Sequence, residues 1–165
     1  MGDHLRPVTA ADSDQLLGWR NTPEVRGFVF HQRVIAPQDH AAWFAKMLVD
    51  DHSAFFVFER DGQPSGVVGF TGISLAKSQA DWGFYTTPNA PKGSGTAMLR
   101  LALDHAFQTV GLNTICAEVL AYNHASLHIH NKLGFERIGL RSEGHCVDDI
   151  FHEVVVFAKT APTDL

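Results

Sequence analysis

The stretch Tyr85-Thr86-Thr87-Pro88-Asn89-Ala90-Pro91-Lys92-Gly93-Ser94-Gly95-Thr96-Ala97 joins a strand-like segment to a helix-like one through a glycine-containing loop. Such a loop offers unpaired backbone N–H groups at the positive end of a helix dipole, a ready anion site. Gly93 and Gly95 let the backbone approach a phosphate closely, and Lys92 adds charge. No Gly-Lys-Ser/Thr follows four residues after a glycine, so this is not a Walker loop, and the third glycine of a dinucleotide fingerprint is missing. An ordinary strand–helix turn has the same residues, and the loop alone leaves both readings open.

A second stretch, Asn123-His124-Ala125-Ser126-Leu127-His128-Ile129-His130-Asn131-Lys132-Leu133-Gly134-Phe135, carries three of the ten histidines. His124 and His128 stand four apart, a spacing that can bind zinc on a helix, but no nearby carboxylate or cysteine completes a set. His145-Cys146 is only a pair in a predicted loop, and no metal is expected. Cys116 sits in an apolar run and reads as core filler. No Ser–His–Asp arrangement is legible.

The elements that position these stretches alternate. Leu5 to Val8 reads as a strand, and Thr9 or Asp12 caps a helix to about Trp19, stopped by Asn21-Thr22-Pro23. A helix follows Pro37 to about Val49, with His40, Trp43, Phe44, Met47 and Leu48 at helical spacing. Ala54–Glu59 and Ser65–Ser74 form a hairpin about Asp61-Gly62. Ala80–Tyr85 is an aromatic-rich strand. Leu99, Ala102, Leu103, Ala106 and Val110 mark one face of a helix over 95–110. Asn113–Ala121 is a strand, and Asn123 caps a helix to Lys132 that ends at Gly134. Phe135–Leu140 and Ile150–Ala158 are the last strands. Val154-Val155-Val156-Phe157 needs cover, from a sheet neighbour or, alternatively, as an edge paired in a homodimer. The fold class is mixed α/β, helices on a partly antiparallel sheet.

The chain has 165 residues and 18.1 kDa, with 45% hydrophobic and 19% charged residues. That suits one domain over 1–165 with a sizeable core, its tail loose from about residue 160. Two cysteines are too few for a disulfide framework. Neither a membrane span nor a secretory leader is legible, so a cytoplasmic protein is expected. A net charge of −5 argues against nucleic-acid binding.

Taken together, the two stretches resemble the halves of the acetyl-CoA site in the GNAT N-acetyltransferase superfamily. There the loop follows Gln/Arg-x-x-Gly-x-Gly/Ala, and the later helix reads Asn-x-x-Ala-x-x-x-Tyr-x-Lys-x-Gly-Phe. Gly93, Gly95, Asn123, Lys132, Gly134 and Phe135 match, with Ser126 in the small-residue place. The resemblance spans essentially the whole chain and implies a seven-stranded, largely antiparallel sheet and acetyl-CoA as co-substrate, with no metal. It assigns the cofactor to Phe84, Tyr85, Lys92, Gly93, Ser94, Gly95, Thr96, Asn123 and Lys132. Ala90 departs from the usual Gln or Arg. His130 replaces the tyrosine that protonates the departing thiolate, a role open to imidazolium; helix packing is its other reading.

Trp19-Arg20-Asn21, His40-x-x-Trp43-Phe44, Gly66-Val67-Val68-Gly69 with Thr71, and Trp82-Gly83-Phe84-Tyr85 are similar to the pseudaminic-acid-pathway branch, which acetylates the 4-amino group of a UDP-linked 4-amino-4,6-dideoxy sugar. The resemblance implies that Arg20, His40, Thr71 and Trp82 meet that substrate; the residues alone also allow an Arg20 that only ends a helix, a surface His40, an ordinary strand Thr71, and Trp82 and Tyr85 as core aromatics. Ribosomal-protein N-terminus and small-amine acetyltransferases share the layout, and a non-catalytic acetyl-CoA-binding module is a further alternative. Gly69 stands where some members of the branch carry serine.

Acetyl transfer by direct amine attack needs a path for the amine proton, an oxyanion donor and an acid for sulfur. Glu118 interrupts the apolar run 115–120, which suits a buried, pKa-raised carboxylate acting as base through water; a strand residue that faces solvent or forms a buried pair is its other reading. The resemblance further implies that the strand at Trp82–Tyr85 splays from its neighbour and that a backbone N–H near Phe84 or Tyr85 polarises the thioester.

Overall fold

The structure, a computed structural model, describes residues 2–163. Seven strands form one sheet: β1 (Asp3–Pro7), β2 (Ala54–Arg60), β3 (Gln63–Ser74), β4 (Gln79–Thr86), β5 (Thr114–Leu120), β6 (Glu136–Val147) and β7 (Ile150–Thr160). Their order is β1-β2-β3-β4-β5-β7-β6. Every neighbouring pair is antiparallel except β4 and β5. A parallel pair requires a long crossover. Here it is a helix, α4 (Ser94–Asp104), prolonged by a π-helical turn over His105–Val110.

The other helices are α1 (Ser13–Arg20), the single turn α2 (Pro23–Arg26), α3 (Pro37–Leu48) and α5 (His124–Lys132). Strand alternation sends Phe56, Phe58, Val68, Phe70, Ala80 and Trp82 to the sheet face packed by α4 and α5, where Met98, Leu99 and Ala102 meet them. Val57 and Val67 face the other way, against Leu16 of α1 and Phe44 and Met47 of α3. Of the stripe read at 99–110, Leu99, Ala102, Leu103 and Ala106 form a core face, while Val110 is exposed at the end of the π-helical turn. Trimming the fully buried Leu99 to alanine would cost about 2–5 kcal/mol. Arg6 holds β1 to the start of α1 through two 2.8 Å bonds to the buried Asp12, whose carboxylate also accepts from the Thr9 N–H.

The expected hairpin turn is present, with positive φ at Asp61 and Gly62, and Gly134 is left-handed after α5. Two expectations need correction. α2 begins at the Pro23 that was expected only to stop a helix: proline's fixed φ suits a first turn. β6 runs to Val147, so His145 and Cys146 lie on a strand rather than in a loop, and the hairpin turns at Asp148 and Asp149, both left-handed. β7 ends at Thr160, about where the tail was expected to begin, and the Ala161 N–H donates to Asn113 O at 2.7 Å; residues 164 and 165 lie outside the described residues. β7 is covered by β5 and β6, so Val154–Phe157 is no edge. No helix of the described residues is long and apolar enough to cross a membrane.

Candidate active site

β4 and β5 pair at only three positions, Gln79–Thr114, Ala80–Ile115 and Asp81–Cys116. Beyond them Trp82–Thr86 and Ala117–Leu120 run on without pairing to each other, as a splay requires. A cavity of about 220 Å³ opens between them, bordered by Gly83, Phe84, Glu118, Ser126 and His130. An adjoining cavity of about 550 Å³ shares Phe84, Asn123 and Ser126 with it and reaches Gly95. Asn123 frames both as the N-cap of α5, accepting from the Ser126 N–H at 3.2 Å.

The α4 N-terminus closes the far end. Gly93 is its N-cap at φ 86°, a conformation L side chains avoid, and Ser94 Oγ donates to Pro91 O. Gly95 and Thr96 follow as first-turn residues, whose N–H groups have no partner inside a helix. The Cβ of any residue replacing Gly95 would lie 3.3 Å from Ile129 Cδ1, so glycine here brings α5 close to α4. Lys92 is exposed on the loop. Lys132 is exposed on the last turn of α5 and lines neither cavity.

His130 is 1% exposed. Its ring stacks on Phe157 with centroids 5.0 Å apart. Nδ1 lies 2.7 Å from Ser126 O, and Trp82 Nε1 donates to Nε2 at 3.1 Å. These two partners define the neutral Nδ1–H tautomer. Burial lowers the imidazole pKa further. The arrangement weighs against the acid expected at this position: both ring nitrogens already have hydrogen-bond partners, and the indole N–H donates to an Nε2 that carries no proton.

Glu118 also differs from expectation. It is exposed, because β5 turns Ile115, Ala117 and Val119 to the core and Glu118 to the opposite, partly uncovered face, where Arg141 of β6 pairs with it. The carboxyl that is shifted is Asp81, pushed up by partial burial and by the charge of Glu118. Asp81 escaped the sequence reading, although an acid beside Trp82 in an aromatic strand was a signal for it.

The same face continues along β4 over Gly83, where an added Cβ would meet nothing within 4 Å. It ends at a cavity of about 360 Å³ between α1, α3 and the sheet, bordered by Arg20, His31, His40, Trp43, Phe55 and Tyr85. Arg20 donates to the His31 carbonyl, while its Nη1 is buried with no hydrogen-bond partner. Burial lowers its pKa, with repulsion from Arg26 adding to this. Among the described residues no carboxylate forms an ion pair with Arg20. His40 is buried rather than on the surface, its Nε2 2.9 Å from Ser13 O and its ring stacked on Phe44. Burial pushes the Tyr85 phenol well above its ordinary pKa.

Arg20, His40 and Tyr85 are therefore brought together. Thr71 is exposed on β3 opposite Asp81, at the carboxylate end of the groove. Trp82 is not on this side: its indole points into the α4–α5 core, so the substrate contact expected of it is replaced by the bond to His130.

The segment between α2 and α3 was invisible in the sequence as part of a site, having no periodicity. Phe28 and Val29 border the gap, and the segment is tied down from several elements: Tyr122 Oη donates to Gly27 O at 2.8 Å, Gln32 Nε2 to Tyr122 Oη at 2.6 Å, and His145 to Phe30 O.

Comparison with known proteins agrees with this geometry. The sequence profile of the family described as Acetyltransferase (GNAT) domain matches residues 4–136. Acetyltransferase PseH of Campylobacter jejuni (strain 81-176) is 24% identical over 128 residues, 78% of this chain and 79% of that protein. Spermidine N(1)-acetyltransferase of Escherichia coli (strain K12) is 27% identical over 132 residues, 79% and 71% of the two chains. Among solved structures, spermidine N-acetyltransferase from Vibrio cholerae, in complex with CoA and spermine, superposes with a TM-score of 0.90 at 19% identity, covering 96% of this chain and 95% of that one.

Proposed function

The chain belongs to the GNAT acetyltransferase family and is an acetyl-CoA-dependent N-acetyltransferase, and from that premise we propose that its acceptor amine sits on an anionic molecule, a nucleotide-linked amino sugar of the UDP-4-amino-4,6-dideoxy-N-acetylhexosamine type. The observation that carries this reading is the polarity of the groove. Tyr85, beside Arg20, and Asp81 stand four residues apart on one face of β4, roughly 13 Å at about 3.3 Å per residue. One end therefore holds a guanidinium with a buried, unsatisfied N–H, and the other Asp81, beside a Glu118 that Arg141 already pairs. A molecule with a phosphate at one end and an amine at the other satisfies both. Unpaired arginine favours phosphate through charge-assisted hydrogen bonds. It would repel a polycation entering by the same route.

In the mechanism this implies, the amine approaches the thioester across Gly83. Asp81, with Glu118 beside it, takes the amine proton directly or through water. The amine nitrogen forms its bond to the acetyl carbon, and a backbone N–H in the unpaired Phe84–Tyr85 segment of β4 donates to the oxyanion. The C–S bond then breaks and CoA leaves as the thiolate, protonated from water in the gap. Phosphate-binding backbone at Gly93–Thr96, with Lys92, holds the cofactor's pyrophosphate.

A small amine is the second reading, favoured by the carboxylates at the Asp81 end and by the similarity to spermidine acetyltransferases. Turnover of acetyl-CoA is to be measured with a UDP-4-amino sugar, spermidine and an N-terminal peptide. Turnover with the sugar nucleotide, competitively inhibited by UDP, is expected. Turnover with spermidine that UDP does not inhibit would overturn the anionic reading.

A further inference from the structure

Adjoining the Arg20 cavity lies a chamber of about 670 Å³ walled by Arg26, His31, Arg33 and His145, with Asp148 as its one acidic residue. His31 borders this chamber and the Arg20 cavity alike. The cations are not consumed by carboxylates: among the described residues neither Arg26 nor Arg33 takes part in an ion pair. Arg26 is held in place by its Nε, which donates to Asn21 O at 3.0 Å, and by Nη1, which reaches Gln32 O at 3.5 Å; Nη2 makes no hydrogen bond among the described residues. Arg33 makes none at all there. His145 donates to Phe30 O and stands edge-on to the Phe30 ring at 5.0 Å, which fixes the chamber's opposite wall.

A chain of net charge −5 thus gathers two arginines without a carboxylate partner around one hollow, and Arg26 there repels a third, Arg20. Concentrating like charges is costly unless an anion completes the set. We infer that this chamber is a second anion subsite, which receives the nucleoside-side phosphate and ribose of a nucleoside diphosphate whose sugar-side phosphate meets Arg20. The inference rests on the anionic-acceptor reading above and extends it: recognition of the leaving nucleotide portion falls to Arg26 and Arg33, residues outside the catalytic gap. Asp148, on the hairpin turn, is placed to accept a ribose hydroxyl.

The test is calorimetric titration of UDP, UMP and inorganic pyrophosphate into protein already saturated with CoA, so that the α4 N-terminus is occupied and cannot take the titrant. UDP should bind, and UMP about tenfold or more weakly, since it lacks the second phosphate. Arg33→Glu, at a side chain that holds nothing in place, and Arg26→Gln should each weaken UDP about tenfold or more, with CoA affinity and melting temperature unchanged for Arg33→Glu. If Arg20→Ala weakens UDP while Arg33→Glu and Arg26→Gln do not, the chamber is no subsite and the anionic-acceptor reading stands. If wild-type protein saturated with CoA binds neither UDP nor pyrophosphate, both fall.

Discussion

Trp82 and His130 are bound to each other inside the protein, the indole N–H donating to Nε2 at 3.1 Å while the far nitrogen faces Ser126 O at 2.7 Å. The imidazole thus occupies the tyrosine position of the resembling motif and satisfies a buried indole N–H. Replacing it with phenylalanine should strand that N–H, at a cost of about 1–3 kcal/mol. The expected result for His130→Phe is a lower melting temperature with kcat/KM reduced less than about tenfold. A loss of roughly 10²–10⁴ in kcat at unchanged stability would return the acid role to His130.

The same burial has a pH signature. His130 and His105 both have pKa values lowered by desolvation in the folded protein. Below about 6.5 the unfolded chain therefore binds protons that the folded one refuses, and stability falls as pH falls through that value toward the folded pKa values. Thermal melts from pH 7.5 to 5 should show this decline, shallower in His130→Phe. A flat profile for the wild type would mean that neither ring is held neutral.

Asp81 sets a second pH dependence. A base must be ionised, and its pKa is raised by partial burial and by Glu118, so the acidic limb of kcat/KM should lie above the ordinary carboxylate value of about 4. Asp81→Asn should remove that limb and lower kcat by about 10–100-fold, with acetyl-CoA KM little changed. Glu118→Gln should move the limb downward, because the neighbouring negative charge is gone. Unchanged profiles in both variants would exclude the pair from proton transfer.

Gly69 has a steric reason in this chain. A Cβ there would stand 2.2 Å from Phe55 Cε1, so the ring lies where a side chain would. Phe55 in turn meets Trp43 edge-on at 5.5 Å, and both border the Arg20 cavity. Gly69→Ser should destabilise by about 1–3 kcal/mol and raise the acceptor KM without touching that of acetyl-CoA. In a Phe55→Ala background the same Gly69→Ser change should cost little, the non-additivity expected of two side chains that clash. An equal cost in both backgrounds would place the strain elsewhere.

Much of this was legible before the fold was known. Asn123, Gly134, Gly93 and the 99–106 stripe are local devices whose meaning lies in the residue and its immediate neighbours, and each stands where the spacing put it. Glu118 misled because an acid in an apolar run says that one strand face is polar, not which face is covered; only the reach of α1 and α3 over the sheet decides that. Trp82 misled for the related reason that its direction depends on strand parity counted from a register no motif records. Arg26 and Arg33 were silent since irregular segments carry no period, and their role depends on a hairpin more than a hundred residues away in the chain.

The short β4–β5 junction makes the sheet two leaves on a narrow spine, joined through Gln79–Asp81 and Thr114–Cys116. Each leaf has its own framework, β1–β4 on one side and β5, β7 and β6 on the other, so a guest inserted between them acts as a missing strut. A ligand whose extended amide chain bonds to both leaves would tie their breathing motions together. A bound guest would add to the shared core that already joins the leaves, and slowed amide hydrogen exchange on binding should spread well past the residues the ligand touches, along both leaves from the spine outward.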